Sequence, residues 1–408
     1  MRLLHVSDWH LGVALGRVSR LPDHVRVLDE LTEVARQWRP HLVVHSGDLF
    51  HATRPPVEAM QLAAESLGRL SAIAPTVVVA GNHDSRALLR VLDTFQKLRP
   101  GTRRLWFVTE PQVLCFAGDG GEDVRLACMP FLHPNTLVDL LANDPAAWTG
   151  AYADGVRVLN RQLQAQLEAG YQPPRDVLLY AAHLHVHDAK LGGTERSVHV
   201  SEDYATRVES LPPVTYAAFG HIHRPQALPG GSVSGRYAGS PIAIDFGEHG
   251  EDKSVVCVQA TPGGSARTEV VGLSGGRRLV RFEGSWGDFC AQAGGVGDGI
   301  LKAVIETDVP DPELADKVAE RCPDASVFEI ANRVTSSLDR PLREAGDAEA
   351  EADVVDLFRE YAAAQNLRHA TPDRVLALFD AAMAGVHAEQ PADFGLADLL
   401  GDPTQEPG

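Results

Sequence analysis

The sequence lacks the features that mark membrane-spanning, secreted or zinc-finger proteins. No window approaches 18 consecutive apolar residues, and the opening MRLLHVSDWH has no continuous apolar stretch of the kind that a secretion signal needs. The five cysteines are scattered and include no Cys-x-x-Cys pair, which argues against a disulfide framework and against a thiolate zinc site. We therefore expect a soluble, cytoplasmic protein with reduced thiols and no membrane partner.

Lysine is also scarce, and the overall charge is negative. The chain has 5 lysines against 32 arginines and a net charge of −18. Residues 341–408 hold 14 acidic and 4 basic residues, which leaves a net charge of −8 on residues 1–340. A protein that holds nucleic acid mainly by a broad cationic surface needs clustered Lys or Arg. Metal ions or a partner would have to supply that attraction here.

Short apolar runs alternate with helix-like segments in the first half of the chain. Behind Pro22, apolar residues recur every three or four positions, which predicts an amphipathic helix over 22–38, and a second helix is predicted over 56–73. This alternation is typical of an α/β domain built from β-α-β units. Residues 237–271 read instead as short antiparallel strands. The predicted strands of the α/β part are 3–6, 42–45, 76–80, 177–182 and 214–219.

Changes in composition suggest further divisions along the chain. The stretch LSGGRR near residue 275 predicts a boundary between a first domain, 1–274, and a small α+β domain, 275–338. An acidic linker follows over 339–352, then two amphipathic helices within 353–387, then a tail, 388–408, that we expect to be disordered. The two helices either pack on their own protein or dock on a partner, and the sequence leaves both alternatives open.

Potential metal ligands follow each of the predicted parallel strands. The carboxyl ends of strands in an open α/β sheet border one crevice, so these segments are expected to converge there. Carboxylate, amide and imidazole groups suit hard to borderline divalent ions. The segments are Asp8-Trp9-His10, Gly47-Asp48, Gly81-Asn82-His83-Asp84, His183 and Gly220-His221-Ile222-His223.

Phosphate ester chemistry gives a physical reason for so many ligands. Two ions about 3.5 to 4 Å apart can generate hydroxide at neutral pH and neutralise charge on the attacking and leaving oxygens. A bridging carboxylate holds such a pair together, and the glycines allow tight turns beside the ligands. Taken singly, Asp8-x-His10 is a weak signal and His183 is more simply a hydrogen-bonded core histidine. Their combination, in this order and at strand ends, predicts a metal site.

Four longer motifs carry a family resemblance. They are SDWHLG at 7–12, GDLFH at 47–51 followed by RPP, AGNHDS at 80–85, and AFGHIHRPQ with YAGSPI between 218 and 242. On these motifs the chain resembles the calcineurin-like metallophosphoesterases, and within them it is similar to the SbcD-type DNA repair nucleases. The resemblance spans about residues 1–385. It implies an α/β fold, a four-layer α/β/β/α sandwich with a small α+β capping domain and C-terminal helices.

The resemblance also implies roles for individual residues. One ion would be bound by Asp8, His10, Asp48 and His223, and the other by Asp48, Asn82, His183 and His221, with Asp48 as the bridge. The ions implied are divalent, manganese first and magnesium as the alternative. His83 would protonate or stabilise the leaving oxygen, and Asp84 would orient it.

Two histidine assignments stay open at this point. His51 either touches the phosphate of the substrate strand or is an exposed loop histidine. Strand alternation puts residues 183, 185 and 187 on one face and so does not decide between their histidines. His183 is preferred because it follows the apolar run LLYAA and matches the family's His-Leu pair, and His185 is the alternative.

The function implied by the resemblance is metal-dependent DNA cleavage. It comprises 3'-5' exonuclease activity on double-stranded ends and endonuclease activity on single strands and hairpins, in repair, recombination and replication. The implied partners are DNA and an SbcC-like coiled-coil ATPase, with homodimerisation inside a heterotetramer. The alternatives are a phosphodiesterase or phosphatase for small esters, which the extra domain and helices disfavour, and a non-catalytic scaffold, which the intact set of ligand positions disfavours.

Overall fold

The computed structural model describes most of the first 335 residues. Residues 1–336 form one compact unit, and 337–408 form a second. The predicted linker 339–352, helices 353–387 and tail 388–408 lie outside the described residues, apart from residue 379. The described residues are 1–98, 101–118, 123–133, 136–137, 152–192, 205–231, 233–335 and 379.

Up to residue 183 the described chain alternates strands and helices, and the described elements between residues 216 and 334 are mostly strands. In chain order the elements up to residue 183 are β1 (Arg2–Val6), β2 (Ala14–Leu15), β3 (Val18–Ser19), α1 (Leu21–Trp38), β4 (Leu42–His45), α2 (Val57–Ile73), β5 (Thr76–Val79), α3 (Arg86–Leu98), β6 (Leu105–Val108), β7 (Gln112–Ala117), β8 (Asp123–Met129), α4 (Tyr152–Glu168) and β9 (Val177–His183). The elements after it are β10 (Tyr216–Gly220), β11 (Gln226–Ala227), β12 (Gly235–Tyr237), β13 (Lys253–Gln259), β14 (Arg267–Leu273), β15 (Leu279–Ser285), α5 (Trp286–Gln292), β16 (Ile300–Thr307), α6 (Leu314–Arg321) and β17 (Ser326–Val334).

Two six-stranded mixed sheets form the larger part of the unit. The first has the order β14-β13-β1-β4-β5-β6, in which β1, β4, β5 and β6 are parallel and β13 is antiparallel to both of its neighbours, β1 and β14. The second has the order β11-β12-β10-β9-β8-β7, in which β8, β9, β10 and β12 are parallel. The parallel strands at the centre of each sheet therefore end at one common edge of that sheet.

The sheets pack face to face, and helices cover their outer faces. Strand alternation in β1 sends Leu3 into the core between the sheets and Leu4 into the core under α1, α2 and α3. The inter-sheet core contains Val44 and Val77 from the first sheet and Leu126 from the second. A third core joins the second sheet to α4. This is the four-layer α/β/β/α sandwich that the family resemblance implies.

A smaller three-stranded parallel sheet, β15-β16-β17, follows β14. Its own core includes Phe289 of α5 and Val318 of α6. Arg277 joins it to the larger part, because its guanidinium binds the fully buried carboxylate of Asp23 at 2.9 Å and the hydroxyl of Ser326 at 2.7 Å. The boundary predicted near residue 275 lies just ahead of β15, inside the compact unit, and it remains a prediction.

The predicted elements correspond closely to those of the structure. The strand predicted over 42–45 is β4, and the helix predicted over 22–38 begins one residue earlier, at Leu21. The strand predicted over 214–219 is shifted, because β10 begins at Tyr216, where pairing with Leu179 starts. None of the described helices combines the length and the apolar character that crossing a bilayer requires.

Candidate metal centre

The predicted ligands lie in tight turns where their parallel strands end. Asp8, His10, Asp48 and His221 all have positive φ, at 51°, 46°, 54° and 97°. Non-glycine residues rarely adopt this region, and such strain persists only where the surrounding structure enforces it, most often at functional sites. Backbone hydrogen bonds enforce it here, since the Asp8 N–H donates to the Gly47 carbonyl at 2.9 Å and the His10 N–H donates to the Asp48 carbonyl at 3.0 Å.

Two of the predicted glycines leave room for neighbouring ligands. A Cβ atom on Gly47, whose φ is +114°, would stand 2.1 Å from Nδ1 of His183. A Cβ atom on Gly81 would stand 2.1 Å from Oδ1 of Asp48 and 2.3 Å from its backbone nitrogen. Any side chain at either position would therefore push a predicted ligand out of place.

The first predicted ligand set is compact and buried. Nε2 of His10 lies 3.0 Å from Nε2 of His223 and 3.5 Å from Oδ2 of Asp48. Asp8, His10 and His223 offer ligand atoms within 4.8 Å of one another. All four side chains are almost fully buried, with at most 3% of the surface of any of the four residues exposed.

The second set surrounds the amide of Asn82. Its Oδ1 lies 2.9 Å from Nε2 of His183 and 2.9 Å from Nδ1 of His221. Nε2 of His183 is also 3.4 Å from Oδ2 of Asp48, the same oxygen that faces His10. One carboxylate oxygen thus lies between the two sets, as a bridging ligand would.

His183, rather than His185, occupies this second set. Its Nδ1–H donates to the Ser46 carbonyl at 2.9 Å, which turns Nε2 towards Asp48 and Asn82. His185 lies beyond the end of β9, where its carbonyl accepts the Thr206 N–H at 2.8 Å.

Buried polar groups behind the ligands fix their orientation. Nδ1 of His223 donates to Oε1 of Glu248 at 2.9 Å. Nε2 of His24, on α1, donates to the Trp9 carbonyl at 2.7 Å, between two predicted ligands. His5 bridges the two sheets, with Nδ1 3.0 Å from the Tyr216 hydroxyl and Nε2 2.9 Å from the Ser46 hydroxyl. Sequence reasoning missed these residues, because each has its partner in another segment of the chain.

Burial and mutual charge shift the pKa values of the cluster in opposite directions. Burial lowers the pKa of His10 and of His221 well below its ordinary value, so both rings are neutral with a lone pair to offer. Burial alone would raise the pKa of Asp48, but the charge on His183 holds it well below its usual range. Burial alone would lower the pKa of His183, but Asp48 raises it to about 9. An ion at this place would take over the role of the proton on His183.

His83 and His51 lie beside the first set. The His83 ring packs edge-on against His10 with centroids 4.8 Å apart and stacks on His51 at 5.5 Å. Its backbone N–H donates to Oδ1 of Asp48 at 2.8 Å, and its Nδ1 donates to the His51 carbonyl at 2.7 Å. Nδ1 of His51 is 3.4 Å from Nδ1 of His10, so the half-buried His51 belongs to the cluster.

Asp84 supports the loops rather than the His83 ring. Its buried carboxylate accepts the N–H groups of Gly81 at 2.9 Å, Phe50 at 3.0 Å and Leu49 at 3.3 Å. The resemblance implies that Asp84 orients His83. The His83 ring is held by the His51 carbonyl, and Asp84 contacts the backbone around it, so an effect of Asp84 on the ring would pass through the loops.

The donor set fits two divalent ions. Oδ2 of Asp8 and Nε2 of His221 are buried without a hydrogen-bond partner, which is costly unless another group satisfies them. Nitrogen and oxygen atoms that face one another at 2.9 to 3.5 Å, without a thiolate, form a donor set that suits hard to borderline divalent ions. The two sets share Asp48, so the cluster has the ligands for a pair of ions.

Comparison with known proteins agrees with this geometry. The family model for calcineurin-like phosphoesterases matches residues 1–225. The chain is 32% identical over 292 residues to the SbcD component of nuclease SbcCD from Bacillus subtilis, covering 70% of this chain and 73% of that one. It is 29% identical to the proteins of the same name from Escherichia coli, over 72% of this chain and 73% of that one, and from Rhodobacter capsulatus, over 65% and 68%. The chain therefore belongs to the calcineurin-like phosphoesterases and, within them, to the SbcD-type nuclease subunits.

Proposed function

We propose that this protein is a two-metal nuclease subunit that hydrolyses phosphodiester bonds of DNA. The observation that carries the proposal is the position of Oδ2 of Asp48, 3.5 Å from a nitrogen of His10 and 3.4 Å from a nitrogen of His183. One ion would be held by Asp8, His10, Asp48 and His223, and the other by Asp48, Asn82, His183 and His221. When bound, the ions supply a nucleophile at neutral pH and neutralise charge on the phosphate oxygens.

His83 is proposed as the group that gives a proton to the leaving oxygen. The His51 carbonyl accepts from Nδ1 at 2.7 Å, so this nitrogen keeps its proton and Nε2 is the one that exchanges. The backbone bond to Asp48 ties the ring to the bridging ligand. His51 is proposed to contact a substrate phosphate, and its stacking on His83 supports this role because one phosphate would meet both rings.

The proposal is tested with manganese and linear duplex DNA. The wild-type protein is expected to degrade end-labelled duplexes and to cut hairpins only when Mn²⁺ is added, and Asp48→Ala serves as the blank. Labels at the 5' and 3' ends report the expected 3'-5' polarity. A panel of nucleotides and a chromogenic phosphodiester is run beside the DNA. Rapid turnover of the small esters with intact DNA would overturn the nuclease proposal in favour of a small-ester phosphodiesterase.

Metal content tests the site separately from activity. The purified wild-type protein is expected to bind two Mn²⁺ ions per chain, and Mg²⁺ is compared as the alternative. Asp8→Asn and His221→Asn are expected to lose an ion each. A protein that binds neither Mn²⁺ nor Mg²⁺ would contradict the two-metal site and support a non-catalytic scaffold.

An SbcC-like coiled-coil ATPase is proposed as the partner, docked through residues 353–387. The acidic charge of the chain supports a partner that supplies the attraction for DNA. Deletion of residues 350–408 is expected to abolish co-purification with the ATPase while metal-dependent hydrolysis of a small phosphodiester persists. Unchanged co-purification would refute this docking site.

A second copy of the chain is proposed to pack on α3. Val91, Phe95 and Leu98 lie on one face of this helix, and 52%, 60% and 73% of their surfaces are exposed. Phe95→Glu is expected to convert a dimer into a monomer in light scattering. Weak interfaces form at about tens of micromolar protein. A wild-type protein that is monomeric at that concentration would overturn the proposed packing on α3.

A further inference from the structure

A fully buried carboxylate outside the predicted ligand set lies directly behind one of the ligands. Glu248 sits in a short turn between β12 and β13 and has no exposed surface. Its Oε1 lies 2.9 Å from Nδ1 of His223. The ring nitrogen on the far side, Nε2, is the one that faces His10 at 3.0 Å. Glu248 therefore contacts the side of His223 that points away from the cluster.

The other oxygen of Glu248 is held by three donors. Oε2 accepts from Nζ of Lys253 at 2.7 Å, and from the Ser240 hydroxyl and the Ile244 N–H at 3.3 Å each. Lys253 is itself 7% exposed, and its Nζ also donates to the His223 carbonyl at 3.3 Å. The carboxylate is thus fixed in one orientation, and the lysine contacts both the carboxylate and the backbone of His223.

Such a carboxylate decides which ring nitrogen carries the proton. A neutral imidazole has one N–H and one lone pair, and a carboxylate can only accept. The proton of His223 must therefore lie on Nδ1, which leaves the lone pair on Nε2, inside the cluster. Hydrogen bonds of this kind fix the orientation of a ligating histidine and strengthen it as a donor.

We propose that Glu248 is a positioning residue for His223, and that Lys253 holds Glu248 in place. The inference rests on the proposed metal-binding role of His223. It predicts an effect mainly on the ion held by His223, since Glu248 contacts His223 directly, whereas His183 of the second set is oriented by the Ser46 carbonyl and His221 by Asn82.

Three variants of the full-length protein test the proposal. Glu248→Gln keeps an acceptor for Nδ1 but turns an amide N–H group towards Lys253. The double variant Glu248→Leu, Lys253→Met removes the buried pair together, an exchange that is often neutral or stabilising for a fold. Glu251→Gln is the matched control, because Glu251 also contacts Lys253, at 3.2 Å, whereas Nδ1 of His223 is bound by Glu248.

The measurement is Mn²⁺ binding by calorimetry and by paramagnetic resonance, with thermal melting of the metal-free proteins as a check on folding. Both Glu248 variants are expected to bind one of the two ions about 10- to 100-fold more weakly, as loss of such a partner typically causes, and to match His223→Asn in which ion is lost. Glu251→Gln is expected to bind both ions with wild-type affinity.

The outcomes separate this inference from the proposed function. Wild-type affinity for both ions in the double variant would overturn the role of Glu248, and so would equal weakening of both ions. Failure of the wild-type protein to bind two ions would instead overturn the proposed function.

Discussion

Replacing Gly81 by alanine adds one methyl group to the turn that carries Asn82 and His83. Its Cβ would stand 2.1 Å from Oδ1 and 2.7 Å from Cγ of Asp48, whereas ordinary contacts begin near 3.4 Å, so the carboxylate or the turn must move by about 1.3 Å. The φ angle of Gly81 is not in the left-handed region, so the expected effect is a steric one.

The position of Asp48 makes that displacement harmful. Its Oδ1 accepts the His83 N–H, and its Oδ2 is the atom shared between His10 and His183. A shift of the carboxylate therefore disturbs both proposed ion sites at once. A misplacement of about 1 Å at a reacting centre can cost about 100-fold in rate. We expect Gly81→Ala to lose at least that much Mn²⁺-dependent DNA hydrolysis.

The matched control is the same substitution at Gly68. This glycine lies within α2, and a Cβ atom there would meet nothing within 4 Å. Gly68→Ala should retain full activity and gain up to about 1 kcal/mol of stability from helix propensity. Initial rates on an end-labelled duplex, Mn²⁺ titration and thermal melting compare the two variants. Activity of Gly81→Ala within about threefold of wild type, a difference of about 0.6 kcal/mol, would refute the reasoning.

Three further predictions concern other residues. His83→Gln should still bind two Mn²⁺ ions but lose about 100- to 10,000-fold in hydrolysis, and near wild-type turnover would defeat its assignment as the proton donor. Burial lowers the pKa of His24 to about 4 against 6.5 in the unfolded chain, so the folded state binds the proton less well. Protonation of His24 therefore favours the unfolded chain. The free energy of unfolding is unaffected by this ring above pH 6.5 and decreases as the pH falls towards 4. Urea unfolding of the metal-free protein should therefore show a loss between pH 7 and pH 5 that is about 2 kcal/mol larger for wild type than for His24→Gln, and equal losses would contradict the buried neutral ring. Asp23→Ala removes the buried partner of Arg277 and Arg20 and should lower the free energy of unfolding by about 3 kcal/mol or more. The expected signs are a lower melting temperature and faster proteolysis near residue 275. An unchanged melting curve would count against a stabilising role of Asp23.

The features that sequence reasoning predicted are those with a local pattern. Strand β4 is four buried residues in a row, and Asp48 follows it after two residues, so strand and ligand can both be recognised from one short segment. The amphipathic spacing behind Pro22 likewise gives α1 to within one residue. Parallel strands place their following loops at one edge of a sheet, and the face-to-face packing of the two sheets brings those edges together, so residues as distant as Asp8 and His221 meet, with the His221 N–H 3.0 Å from Oδ1 of Asp8.

The features that were missed depend on contacts between distant segments. Glu248 lies in the polar stretch DFGEHGED, which is typical of an exposed turn, yet it is completely buried because Lys253 and His223 meet it there. The role of Asp84 could not be read from its place beside His83, since the direction of its side chain is set by three backbone N–H groups, two of them from the loop after β4. Strand β7 has a mixed exposure pattern without strict alternation, so no period marks it in the sequence.

The placement of the cluster across two sheets has a consequence for variation in the core. The first sheet carries four of the ligands at the ends of its strands, namely Asp8, His10, Asp48 and Asn82. The second sheet carries the other three, namely His183, His221 and His223. Sliding one sheet over the other by a few tenths of an ångström would change the distance between the paired cations without altering any liganding residue. Substitutions in the core between the sheets, such as those at Tyr216 or Val77, can therefore change turnover and metal preference without touching a ligand, both in natural variation and in laboratory selection.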